Sequence, residues 1–277
     1  MKSNLFKRTI TGTILAIIIF CCIYFLPKSL FSLCCFGLSL LAGLEFAKIL
    51  KWNFSEKILN TIFLITAFSS NYFFPAFYIE VIVFAPLIYL GYLFVNQKDS
   101  NVNNATWVKL LEFLFAGVFQ IFIFLTPILI FNLTNGKYFL LAIIGIVVMT
   151  DIFSYFSGSL LGKNPLWKKL SPGKSWEGFI IGVSCSSIIA TLLVFLKVNL
   201  SQYDFLTSNW LILLFTVFSL CILSVFGDML ESFFKRSKNI KDSGSLLPGH
   251  GGILDRVDGL FFVLPVFWYI IRGFLTH

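Results

Sequence analysis

Asp228, Ser232 and Lys235 stand at i, i+4 and i+7, so a helix through them carries a carboxylate, a hydroxyl and an ammonium group on one face. Such a row suits a divalent metal and a phosphate, because the oxygens are hard ligands and the ammonium is a point charge for an anion. Arg236 follows Lys235, and a short link leads to Lys241-Asp242. Next comes Ser243-Gly244-Ser245-Leu246-Leu247-Pro248-Gly249-His250-Gly251-Gly252, whose glycines let backbone amides approach an anion and form a nest for it. The stretch ends on Asp255-Arg256-Val257-Asp258, with two acids at i and i+3 where another helix starts. Each piece has an ordinary explanation: acids start helices, basic residues line loops, and a lone histidine is more often structural or solvated than catalytic. Their concentration between Gly227 and Gly259 points instead to a site for Mg2+ and a triphosphate.

Two upstream segments belong with it. Asp151, Tyr155, Gly158 and Gly162 share one helical face within an apolar run. The glycines fit close helix packing, but a carboxylate inside such a run marks a functional position. The loop after it carries Lys163, Lys168, Lys169 and Lys174 and reads Ser171-Pro172-Gly173-Lys174-Ser175-Trp176-Glu177-Gly178. A rigid Ser-Pro-Gly turn there is expected to present Lys174 and Ser175 to a phosphate. The spacing of a Walker loop is missing. Glu45, Glu80 and Glu112 fall at predicted helix ends and are read as interface residues.

The elements that must hold these groups are membrane helices. The chain of 277 residues is 58% hydrophobic and 12% charged, with mean hydropathy +0.90, whereas soluble proteins carry about 25% charged residues. Runs long enough to cross a bilayer fall at 9–26, 29–45, 58–75, 78–96, 110–131, 138–162, 178–198, 210–230 and 259–276. The first is too long for a signal peptide and is read as a retained helix. With the N-terminus inside, every Lys and Arg of the 21 faces the cytoplasm except Lys28, Lys137, Lys197 and Arg272. The expected fold is therefore all-α, a polytopic transmembrane bundle of about nine helices. Residues 1–277 form a single membrane domain, with helices one to five in 1–137 and a catalytic part in 138–277. The net charge of +8 then faces anionic lipid, with no call for nucleic acid. The six cysteines lie in apolar runs without metal-ligand spacing and are read as small hydrophobes.

With these residues in place, the sequence resembles the CDP-diacylglycerol synthases, or phosphatidate cytidylyltransferases. Ser232, Lys235-Arg236, Lys241-Asp242, Gly244, Pro248, His250-Gly251-Gly252 and Asp255-Arg256-Val257-Asp258 fill that family's signature at its spacing. Gly227-Asp228, the Asp151 helix and the Ser-Pro-x-Lys-Ser-x-Glu-Gly loop also fit, with Ser154 and Ser175 where Ala and Thr are commoner. The resemblance is firm over about 150–260 and rests on helix count before that.

The resemblance implies transfer of a cytidylyl group from CTP to phosphatidate, giving CDP-diacylglycerol and pyrophosphate, with a divalent metal required. On that footing Asp228 and Asp255 are expected to bind Mg2+, with Asp258 and Ser232 as lesser ligands and a second cation compatible with the set. Lys235, Arg236, Lys241 and Arg256 are expected at phosphate groups, as are Lys174 and Ser175. His250, Gly251 and Gly252 would shape the turn around the triphosphate, and Asp151 would support a polar cavity or a substrate group. The expected partners are CTP, phosphatidate and membrane lipid. A homodimer is compatible with the sequence, which does not set the oligomeric state. The expected home is a bacterial cytoplasmic membrane, multi-pass, with the site facing the cytoplasm. A transporter or another membrane-embedded lipid transferase are the alternatives. The first would place polar residues near the bilayer midplane with internal symmetry; the second would carry Asp-rich helical motifs that are missing here.

Overall fold

The computed structural model describes residues 2–73, 104–167, 171–197, 210–244, 246 and 251–275. In chain order, α1 is Lys2–Phe25, α2 Lys28–Ile49, α3 Phe54–Phe73 and α4 Asn104–Gln120. A π-helical turn, Ile121–Leu125, continues α4 into α5, Thr126–Phe131. Then follow α6 (Gly136–Leu161), strands β1 (Pro165–Trp167) and β2 (Ser171–Ser175), α7 (Trp176–Lys197) and α8 (Trp210–Ser237). A single turn, α9 (Leu254–Val257), precedes α10 (Leu260–Leu275). Among the described residues five helical segments are long and apolar enough to cross a membrane: Lys28–Ile49, Lys109–Phe131, Gly136–Leu161, Trp176–Leu193 and Trp210–Ser237. Thr11–Phe25 and Leu260–Arg272 are shorter apolar helices. Helices occupy eight of the nine expected runs; the run at 78–96 lies outside the described residues.

Helices suit this chain because a hydrocarbon solvent leaves backbone groups no partners except each other. The breaks have local causes. Pro27 is extended (φ −69°, ψ 158°) and ends the path from α1 before α2. Asn135, at φ 61°, reverses the chain between α5 and α6. Pro127 lacks an N–H, and the π turn lies just ahead of it.

The all-α expectation needs one amendment. The Ser-Pro-Gly segment is not a tight turn but the strand β2, antiparallel to β1 with Pro165 opposite Ser175 and Trp167 opposite Ser171. A two-stranded ribbon consists only of edges, where proline is tolerated.

The core has two main centres. One joins α6, α7, α8 and α10 through Ile143, Val147, Val183, Leu220, Val263 and Leu264. The other joins α2 and α4 to the start of α9 and α10 through Phe46, Phe113, Phe119, Leu254 and Phe261. Phe46 meets Phe119 edge-on at 5.5 Å, and Phe119 stacks on Phe261 at 5.0 Å. The N-terminal helices are thereby docked onto the segment that carries the signature.

Candidate active site

The inner face of α8 is apolar through Val217, Leu220 and Cys221, turns polar at Ser224, and ends in Asp228, Glu231, Ser232 and Lys235. Its opposite face, with Leu223, Phe226, Leu230 and Phe233, lines an apolar groove of 490 Å³. The carboxylates therefore point into the bundle rather than toward lipid.

Around Asp228 the upstream motifs converge. Lys174, on β2, forms an ion pair with Asp228 Oδ2, and the Ser232 hydroxyl donates to Asp228 Oδ1 at 3.3 Å. A polar cavity of 300 Å³ opens beside them, with Asp151 and Tyr155 of α6, Lys174 and Ser175 of the ribbon, and Asp228 in its wall. Arg256 lies within electrostatic reach of Asp151. The ribbon is anchored by Glu177, which accepts from the Lys163 and Asn164 amides at 3.1 and 3.2 Å and from Asn164 Nδ2 at 2.8 Å. The glycine stripe packs α6 on α7 as expected: a Cβ on Gly178 would lie 2.9 Å from the Gly158 Cα.

A second set of contacts orders the signature turn. Lys235 Nζ bridges Glu231 Oε2 at 2.5 Å and Asp255 Oδ1 at 2.6 Å. Asp255 also accepts from the amides of Ser243 and Gly252, both at 2.9 Å from Oδ2. Burial works to raise the Asp255 carboxyl, but Lys235 and those amides outweigh it and hold it below the ordinary aspartate range. Gly251 adopts φ 81°, which leaves its amide plane clear of Asp255 without a Cβ in the way. Asp258 receives the Gly259 amide at 2.9 Å and shares a hydrogen bond with Asp228. Burial, then the charges of Asp228 and Glu231, push its carboxyl well above the usual range.

Two carboxylates this close form a pair that a divalent cation could bridge. Asp228, Asp258 and the Ser232 hydroxyl are hard oxygen donors of the right kind. Among the described residues no three His, Cys, Asp or Glu side chains already surround one point. The donor chemistry of Asp228 and Asp258 suits a hard cation, and Asp255, the other expected ligand, is engaged with Lys235 and two amides.

The structure thus brings Asp151, Lys174, Ser175, Asp228, Ser232, Lys235, Asp255, Arg256 and Asp258 to one end of the bundle. Arg236 is exposed, donating to the Ile240 carbonyl at 3.5 Å, and Lys241 is exposed on the link beyond. His250 lies outside the described residues. Sequence reasoning missed Glu45. It lies buried, 4% exposed, and accepts from the Ser243 hydroxyl at 3.0 Å and from the Ile253 and Leu254 amides at 2.9 and 3.1 Å. Reading the second span as ending at 45 made it an interface residue; α2 runs on to Ile49 and keeps it inside. The signal available was an acid within the apolar run Leu44-Glu45-Phe46-Ala47.

Fold and site together define a multi-pass, membrane-type helical protein with an acid–lysine centre assembled from helix ends. The chain belongs to the cytidylyltransferase family, whose model matches residues 6–274. It is similar to the phosphatidate cytidylyltransferases of Staphylococcus haemolyticus (45% identical over 136 residues, 48% of each chain) and Staphylococcus saprophyticus (36% over 182 residues, 65% of this chain and 64% of the relative). That of Staphylococcus aureus strain COL is 34% identical over 196 residues, 68% of this chain and 69% of the relative. The aligned part therefore spans from about half to about two-thirds of these relatives' length.

Proposed function

We propose that this protein transfers the cytidylyl group of CTP to phosphatidate, giving CDP-diacylglycerol and pyrophosphate, as a step of phospholipid synthesis. The observation that carries this is the polar cavity at the end of α8, where Lys174, Asp228 and Asp151 meet, in a chain of the cytidylyltransferase family. In the reaction a phosphate oxygen of phosphatidate attacks the α-phosphorus of CTP, and the bond to the pyrophosphate oxygen breaks. Both reactants are anions, so the residues must offset repulsion and stabilise charge on the leaving pyrophosphate. Lys174 in the cavity wall, and Arg256 within electrostatic reach of Asp151, supply positive charge there. Lys174 exchanges its partner Asp228 for a phosphate oxygen on binding. Mg2+, held by Asp228 and Asp258 with Ser232 beside them and Asp255 close by, would supply further charge neutralisation when bound. Lys235 orders the turn through Asp255, and Arg236 and Lys241 stand at the exposed rim to draw in the nucleotide. The site faces the cytoplasm, with the N-terminus on the same side, in a bacterial cytoplasmic membrane.

The test uses purified protein in detergent with phosphatidate, Mg2+ and CTP labelled at the α-phosphate, following label into the lipid phase. Metal-dependent transfer that is lost in Asp228→Asn is the expected result. Absence of transfer from CTP or dCTP by folded protein, in several lipids, would sink the reading.

A further inference from the structure

The N-terminal helices hold none of the groups assigned to the reaction, yet one of them reaches into the signature. Glu45 sits near the end of α2 and accepts from three donors of a segment some two hundred residues away: Ser243 Oγ and the Leu254 amide on Oε2, and the Ile253 amide on Oε1. We infer that Glu45 is a positioning residue, which fixes Ser243 and the single turn α9 so that Asp258 meets Asp228 of α8. This rests on the reading of the site just given.

Three observations support it. First, the carboxylate is matched to its surroundings. A Cβ on Gly244 would lie 2.8 Å from Glu45 Oε1, and one on Gly252 would overlap the Ser243 hydroxyl and both Glu45 oxygens. Those two glycines therefore leave room for the Glu45 head group. Second, the contact continues toward the centre. The Ser243 amide donates to Asp255, Asp255 pairs with Lys235, and Lys235 pairs with Glu231. A shift at Glu45 moves Ser243, and through it Asp255 and the turn bearing Arg256 and Asp258. Third, α2 is held rigidly enough to serve as a reference. Its Gly43 lies against a buried amide pair, in which Gln120 Nε2 donates to Asn60 Oδ1 at 3.1 Å and Asn60 Nδ2 to Gln120 Oε1 at 3.4 Å. Phe46, next to Glu45, is 1% exposed and packs on Phe119 and on Phe234 of α8. Glu45 does not line the polar cavity. It acts on the reaction through the turn and does not touch the reacting groups.

The test measures amide hydrogen exchange and steady-state kinetics on full-length Glu45→Ala, Glu45→Gln and Ser243→Ala protein in detergent. Glu45→Ala should speed exchange at Ile253 and Leu254 while peptides from α6 and α7 stay as they were. Its kcat should fall by about a hundredfold, the scale of a small misplacement of reacting groups, with a smaller change in KM for CTP. Glu45→Gln keeps one acceptor oxygen and should recover part of both effects. Unchanged exchange at Ile253 and Leu254, or faster exchange with unaltered kcat, would overturn the inference. Should Glu45→Ala not fold, Glu45→Gln and Ser243→Ala carry the same comparison. Faster exchange in a protein that never transfers label from CTP would leave the clamp standing and remove the cytidylyl reading instead.

Discussion

Among the described residues Lys235 is the one cation paired with both Glu231 and Asp255, and removing each of the three charges should have a different consequence. Glu231 is 3% exposed and the Asp255 side chain 7%, and Lys235 reaches both at 2.5 and 2.6 Å. Lys235→Met leaves two neighbouring carboxylates without a counter-charge. Breaking a buried pair in this way costs about 3–5 kcal/mol. Glu231→Gln removes one ion pair but also removes repulsion between Glu231 and Asp255, so its net cost falls below that of Lys235→Met. Asp255→Asn lies between them, because one amide oxygen can still accept from the Gly252 or Ser243 amide while the amide N–H group faces a donor. At about 1.4 kcal/mol per factor of ten, Lys235→Met opens the signature turn about a hundredfold or more relative to the parent. Exchange at the Ser243 and Gly252 amides, with heat tolerance in detergent, reads this order directly. In the double variant Lys235→Met/Asp255→Asn the cost should be less than the sum of the singles. A Glu231→Gln variant as damaged as Lys235→Met, or strictly additive singles, would refute the three-charge account.

Two further outcomes follow from packing. Gly182→Ala places a Cβ 2.7 Å from the Ser154 Cα and N, so α6 and α7 must separate; a loss of about 1–3 kcal/mol should appear as a lower melting midpoint in detergent. Asn60→Leu or Gln120→Leu alone strands a buried amide and should cost about 1–3 kcal/mol, whereas the double replacement should be closer to neutral in the same melting measurement.

What the sequence made legible was set by what is local. Helix runs follow from the hydropathy of about twenty residues at a time, and α8 and α6 stand where apolar length puts them. The shared face of Asp228 and Ser232 is a property of one helix, and the bond between them shows it, while Lys235 turns to Glu231 and Asp255. The ribbon between α6 and α7 was not legible, because a pair of short strands held by Glu177 has no period long enough to read.

The acids of the Asp255-Arg256-Val257-Asp258 turn mark the limit most sharply. By sequence they are one pair at i and i+3, two similar carboxylates on one helix face. In the fold they part: α9 is a single turn ending at Val257, and the chain bends at Asp258-Gly259 before α10. Asp255 is turned back to Lys235 and the amides of its own loop, while Asp258 goes forward to Asp228. The two therefore have different partners, Asp255 within its own turn and Asp258 across to α8. Spacing cannot make this division, because it depends on where Ser243 is held, and Ser243 is held by Glu45 across a separation of 198 residues. The first half of the chain, which shows no motif, thus supplies contacts that hold this turn in place.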